Sequence, residues 1–325
     1  MRDVDDRFRP SFHFTPDAHW MNDPNGLVFT GGVYHLFYQY YPEGVVWGPM
    51  HWGHATSRDL VTWERLPVAL APDENGWIFS GSAVEDTEGS AGFGSGAIVA
   101  VCTFVDGEGR KRGVLGVENQ GLGFSVDGGR TWEKFAGTPV LRNSGEADFR
   151  DPKVFRRPSG AGWNLALAAG DRIKIYSSEN LRAWRHESDF FPDAKGFGVW
   201  ECPDLFPIRS GDGTHWVMLL SQTAAAPNGG SGTRYIVGDF DGCKFTARTP
   251  LQWIDWGKDF YAAVTYSGAP DGRNVLVGWM SNWQYAAKTP TGAWRGAMAL
   301  PRVLSLETQD GRYRLVQKPA IDFEA

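Results

Sequence analysis

The chain has 325 residues, 42% hydrophobic and 22% charged, a balance that supports a large buried core. A net charge of −6 at pH 7, with no Lys/Arg-rich run, excludes the electrostatic footprint of a nucleic-acid or anionic-membrane binder. The longest apolar stretch, residues 97–105, is too short to span a bilayer.

Residues 1–16 are charged and polar and do not read as a signal peptide, which predicts either a cytosolic protein or one whose leader has been removed. A first unit opens at His19-Trp20-Met21-Asn22-Asp23-Pro24-Asn25-Gly26; taken alone, N-D-P-N-G is a run of turn formers. Residues 33–39 (VYHLFYQ) read as an aromatic-rich strand. Ser57-Arg-Asp59-Leu-Val-Thr62-Trp63 then reads as a turn: the Asp side chain bonds the backbone two residues on, and the Trp anchors the next strand. A second unit opens at Ile78-Phe79-Ser80-Gly81-Ser82-Ala83. Residues 89–96 (GSAGFGSG) are Gly-rich, but neither Lys nor helix follows, so they predict a loop and not a phosphate cradle. The unbroken run 98–105 suits a strand covered on both faces, and Ser125 to Trp132 repeats the turn with one extra residue.

A third unit opens at Phe149-Arg150-Asp151-Pro152-Lys153, alternates cleanly over 171–177 and repeats the turn from Ser178 through Asn180 to Trp184. A fourth opens at Trp200-Glu201-Cys202-Pro203-Asp204 and contains the strand-like run 215–221. A fifth opens at Asp259-Phe260-Tyr261-Ala262 and contains 274–280. No long segment shows a capped 3.6-residue period. Scattered Gly (41) and Pro (19), 15 Trp and the recurring turn predict an all-β fold, one five-bladed β-propeller over residues 1–325. Its four-stranded blades start near residues 20, 76, 148, 198 and 258, and the first strand of each lines the central axis. The Trp residues divide between core packing and flat platforms for sugar rings.

Asp23, Asp151 and Glu201 each sit at a unit opening beside a Pro or an aromatic. Aimed at one axial funnel from equivalent blade positions, they suit glycosidic bond cleavage. One carboxylate stays ionised to attack the anomeric carbon, and another stays protonated to donate to the leaving oxygen. Glu201, between Trp200 and Cys202-Pro203, is expected in an apolar setting that raises its pKa, and Arg150 is expected to keep neighbouring carboxylates ionised. His51 and His54 lack a helix and a third ligand and are expected to be structural. Cys102, Cys202 and Cys243 are expected as free, buried thiols.

W-M-N-D-P-N-G (20–26), F-S-G-S-A (79–83), F-R-D-P-K-V-F (149–155) and W-E-C-P-D-L-F (200–206), in that order, resemble glycoside hydrolase family 32, which contains invertases, levanases, inulinases and fructosyltransferases. The resemblance runs from Phe12 to Pro319. It implies Asp23 as the nucleophile that forms a covalent fructosyl–enzyme at C2, Glu201 as general acid and then base, and Asp151 as the stabiliser that holds sugar hydroxyls. It implies that Asn22, Gln39, Trp47, Phe79, Ser80 and Arg150 shape the fructose subsite and that Trp283 stacks near the same ring. Asp241 and Lys244 match positions that tune leaving-group binding and the acid/base in some relatives. The wording of A-P-N-G-G-S-G-T-R-Y (226–235), V-G-D-F-D-G (237–242), K-D-F-Y-A (258–262) and G-W-M-S-N-W-Q-Y-A (278–286) is similar to bacterial levanases and exo-inulinases.

The function implied is a retaining, exo-acting β-fructosidase that hydrolyses terminal β-fructofuranosyl linkages of levan, inulin and sucrose, with no metal or organic cofactor. A fructosyltransferase sharing the intermediate is the alternative, and a non-catalytic fructan-binding propeller a more distant one. Family members usually continue into a C-terminal β-sandwich. The chain stops at Ala325, where that module is expected to begin, which reads as either a truncation or a bare propeller.

Overall fold

The computed structural model describes residues 6–321. The expectations attached to the first residues and to the stop at Ala325 lie outside the described residues. The fold is the five-bladed β-propeller read from the sequence, with five antiparallel sheets arranged around one axis.

Each blade is one contiguous stretch of chain. Blade one runs through His19–Thr30, Val33–Tyr41, His51–Ser57 and Glu64–Leu70; blade two through Trp77–Asp86, Ala97–Val105, Glu118–Ser125 and Glu133–Lys134. Blade three runs through Phe149–Arg156, Trp163–Ala169, Arg172–Ser178 and Arg185–Phe190, and blade four through Trp200–Ser210, Gly213–Gln222, Gly232–Phe240 and Phe245–Ala247. Blade five consists of Tyr261–Thr265, Asn274–Trp279, Arg302–Gln309 and Arg312–Pro319. Short loops suffice because neighbouring strands are antiparallel. Gly31-Gly32, both at positive φ, closes the first hairpin in two residues, a turn whose twist matches the flanking strands. Ala97–Val105 is buried at every position, as its unbroken apolar run requires. Burying Ile98, Val99, Val101 and Phe104 contributes about 1.5–3 kcal/mol each.

The recurring turn joins the third strand to the fourth in the first three blades. Asp59 Oδ1 accepts the backbone N–H groups of Val61 and Thr62, Asp127 Oδ1 those of Arg130 and Thr131, and Asn180 Oδ1 those of Arg182 and Ala183. In blade four the same place is taken by Asp241, which accepts from Cys243 and Lys244. The ring closes at both ends of blade one. Trp294–Arg295 pairs in parallel with His19 and Trp20, and at the other end Phe29 and Leu27 exchange hydrogen bonds with Ser267.

All five innermost strands break register near the same end, and His19–Thr30 breaks a second time at Gly26-Leu27. The unpaired residues at the shared end are Asn22-Asp23, Phe79-Ser80, Asp151-Pro152, Cys202-Pro203 and Ala262-Ala263. Such bulges bend a strand and re-aim its side chains. Asp151 (φ 65), Cys202 (φ 47) and Ala262 (φ 51) take left-handed backbone at the same step of three successive blades. The N-D-P-N-G and R-D-P runs are therefore not turns between strands. Their turn-forming residues populate bulges inside strands.

Candidate active site

Bulge residues of the first three blades, with Glu201 from the fourth, line a solvent-open cleft of about 820 Å³. Asn22, Asp23, Gln39, Trp47, Phe79, Ser80, Arg150, Asp151, Glu201 and Trp283 all line it, together with Arg110 and Thr223. The three carboxylates are staggered, not strictly equivalent. Asp23 is the second bulge residue of its blade, Asp151 the first of its own, and Glu201 the residue just before its bulge. The stagger brings carboxylates of different reach toward one point.

Asp23 is held by Asn22 and Ser80. Trp20 Nε1 donates to Asn22 Oδ1 (2.7 Å), Asn22 Nδ2 to Asp23 Oδ1 (3.0 Å), and Ser80 Oγ to Asp23 Oδ2 (2.9 Å). Asp151 Oδ2 accepts the backbone N–H of Cys202 (3.0 Å), and the Asp151 N–H donates to Thr103 Oγ1 (3.0 Å). The Cys202 thiol lies 3.6 Å from Oδ2 of both Asp23 and Asp151 and links them. Gln39 does not reach a carboxylate. Its Nε2 donates to Asn25 Oδ1 and to the Ile78 carbonyl, tying blades one and two beside the cleft.

Glu201 has different neighbours from those its sequence suggests. Consecutive strand residues point to opposite faces, and Trp200 is fully buried in the core against Phe197. Glu201 Oε1 instead accepts from Arg150 Nε (3.1 Å) and NH2 (2.8 Å), and Oε2 from the Tyr261 hydroxyl. A cation and a hydroxyl surround it, not apolar side chains. Arg150, itself buried, also donates to Asp148 (2.6 Å) and Glu118 (3.1 Å).

With the guanidinium engaged there, Asp23 and Asp151 are both pushed upward. Burial, and then the Glu201 charge, raise the Asp23 carboxyl above the ordinary carboxylate range. Burial pushes Asp151 up to about 7 against the pull of Arg150, with Glu201 and Asp23 adding to the rise. Burial and then the Asp151 and Asp23 charges hold the Cys202 thiol protonated, and burial with Glu201 does the same for the Tyr261 phenol.

Trp283 stacks on Trp20 (6.0 Å between centroids, 23°), and Trp47 meets Phe79 edge-on at 5.8 Å. Trp47 is 37% exposed, unlike Trp20, Trp52, Trp163, Trp200 and Trp279, which are core. Asp241 and Lys244 do not belong to the cleft. They sit beyond Phe240, at the end of blade four remote from Glu201, where they close a turn. His54 stacks on Phe37 at 4.1 Å with Nε2 3.1 Å from His35 Nδ1, inside blade one, and His51 Nδ1 lies 3.0 Å from the Pro49 carbonyl. Cys102 and Cys202 are buried free thiols, and Cys243 is half-buried.

Residues missed by the sequence reading are Arg110, Thr223, Tyr261, Cys202, Glu118 and Asp148. Tyr261 was within reach, because it stands just before the blade-five bulge as Glu201 does before that of blade four.

The family description "Glycosyl hydrolases family 32 N-terminal domain" matches residues 13–319. A levanase of Bacillus subtilis (strain 168) is 52% identical over 98% of this chain and 48% of its own length. An extracellular exo-inulinase of Aspergillus niger is 41% identical over 97% of this chain and 65% of its own. The solved structure of a fructofuranosidase from Schwanniomyces occidentalis complexed with fructose superposes with a TM-score of 0.90 at 36% identity, covering 100% of this chain and 66% of that one. The chain thus spans about half the length of the levanase and two thirds of the other two.

Proposed function

The chain belongs to glycosyl hydrolase family 32, and from that premise we propose that it is a retaining, exo-acting β-fructosidase, hydrolysing terminal β-fructofuranosyl linkages of levan, inulin and sucrose. The observation that carries the proposal is the meeting of Asp23, Asp151 and Glu201 in one cleft, each on or beside the bulge of a different blade.

In the first step an Asp23 oxygen attacks C2 of the fructosyl ring. The C2–O bond to the leaving sugar breaks, and Glu201 gives its proton to the departing oxygen. In the second step water attacks C2, Glu201 takes the water's proton, and the Asp23–C2 bond breaks to release fructose. Asp23 and Asp151 are buried beside the Glu201 charge and both carboxyls are raised, Asp151 to about 7, so the cluster retains a proton near neutral pH. The acid step needs that proton on Glu201 and the negative charge on Asp23. Ser80 and Asn22 favour this distribution by donating to the Asp23 carboxylate. The Tyr261 hydroxyl and Arg150 fix the Glu201 carboxyl in place. Asp151, whose carboxylate is offered a donor by Cys202 alone among the described residues, has acceptor capacity left for hydroxyls of the sugar. Trp283, stacked on Trp20, presents an aromatic face to the ring.

Incubation with levan, inulin and sucrose, followed by chromatography of the products, tests the proposal. Free fructose as the first product from all three supports exo hydrolysis. Longer fructosyl products would instead mark transfer, and no release between about pH 4 and 8 would exclude the reading.

A further inference from the structure

One wall of the cleft comes from a segment outside the family motifs. Between the second and third strands of blade two, Gly107–Lys111 forms a short helix whose cap, Asp106, accepts the N–H groups of Glu108 and Gly109. A Cβ at Gly107 would approach the Trp77 ring to 2.2 Å, and one at Gly109 would approach Val117 to 2.8 Å. Two glycines therefore let the helix lie flat against its neighbours, and Arg110 reaches the cleft from there. Its NH1 donates to Glu118 Oε1 (2.6 Å), and its guanidinium sits 5.2 Å over the Phe79 ring. The side chain stays 37% exposed, so donors beyond the one on Glu118 remain open to a ligand.

Glu118 is also a partner of Arg150, and Arg150 holds Glu201. Arg110, with its side chain 37% exposed against 18% for Glu201, therefore lies nearer the mouth of the shared cleft than the acid does. A sugar whose oxygen is protonated by Glu201 leaves through the mouth of that cleft. We infer that Arg110 is a specificity-determining residue of the leaving-group subsite, its guanidinium donating hydrogen bonds to hydroxyls of the departing sugar. The inference rests on the β-fructosidase reading and concerns the half of the substrate on the far side of the scissile bond.

Charge decides the ligand class. Asp23, Asp148, Asp151, Glu118 and Glu201 outnumber Arg110 and Arg150 around the cleft, and Glu118 already pairs with Arg110. Such surroundings disfavour a phosphate or carboxylate on the leaving group and admit an uncharged polyol. The planar fork of Arg suits two neighbouring hydroxyls, which a Lys point charge does not match.

The test compares kcat/KM for sucrose with that for methyl β-D-fructofuranoside, whose leaving group is too small to reach Arg110. In Arg110→Ala and Arg110→Gln the sucrose-to-methyl ratio is expected to fall about tenfold or more, chiefly through KM, with Arg110→Lys restoring only part of it. A ratio equal to that of the unaltered protein overturns the inference. So does an equal fall on both substrates with a displaced pH profile, which would mark Arg110 as acting through Glu118 and Arg150. Preference for sucrose phosphorylated on its glucosyl unit would overturn the choice of an uncharged ligand. If the unaltered protein cleaves neither substrate, the β-fructosidase reading fails; if it cleaves both and the ratio does not move, only the role of Arg110 fails.

Discussion

Asp151→Asn should make the protein more stable at alkaline pH while abolishing its activity. The native site pushes the Asp151 carboxyl from 3.8 up to about 7, burial being the largest cause. An acid whose folded value is raised binds its proton more tightly in the native state. Its favourable contribution is therefore complete below the unfolded value and is lost as pH rises from about 4 through 7. Three pK units correspond to about 4 kcal/mol of stability lost across that window. Asn carries no charge, keeps an oxygen to accept the Cys202 N–H, and tolerates the left-handed backbone at φ 65. The variant should match the unaltered protein near pH 4 and exceed it by up to about 4 kcal/mol at pH 8, on the order of 5–10 °C in melting temperature. Thermal melts of both proteins at half-unit steps between those limits measure the difference directly. A difference that stays flat with pH, or a variant less stable throughout, would refute the claim that the site holds Asp151 under electrostatic strain.

Ser80→Ala removes a donor to Asp23, which pushes its already raised carboxyl higher still. Because Asp23 must be ionised to attack, activity at about pH 4.5 should fall several-fold more than at about pH 6.5, read from the acid limb of kcat/KM. Tyr261→Phe deletes the hydroxyl on Glu201 and should lower kcat about 10- to 100-fold with KM little changed, as steady-state kinetics on sucrose would report. Glu201→Ala should lose hydrolysis by a factor of about a hundred or more, and added azide should restore turnover as β-fructosyl azide, detected by mass spectrometry; recovery of fructose alone would count against a trapped intermediate.

The fold was legible because its signals are local and repeated. Three copies of one side-chain-closed turn fixed the joint between third and fourth strands, and unbroken apolar runs such as 97–105 announced doubly covered strands. The ten residues singled out from the motifs line one cleft because each motif occupies an innermost bulge or faces one. What could not be read was orientation and partnership. Trp200 adjoins Glu201 in sequence, yet strand alternation sends it into the core, and the partner of Glu201 arrives from another blade. Asp241 looked like a site residue because its wording matched. Its blade position, equivalent to Asp59 and Asp127, explains it instead as a turn closure. Arg110 and Glu118 carry no motif, and only the packing of a two-glycine helix on Trp77 brings the first of them to the cleft.

The stereochemistry of the first turnover tests the central claim most directly. With levan or sucrose as substrate, the fructose released before mutarotation, followed by NMR, should be the β-fructofuranose anomer, because two successive displacements at C2, the first by Asp23, restore the original configuration. First-formed α-fructofuranose would mean that water attacks C2 directly, and Asp23 could then not be the nucleophile.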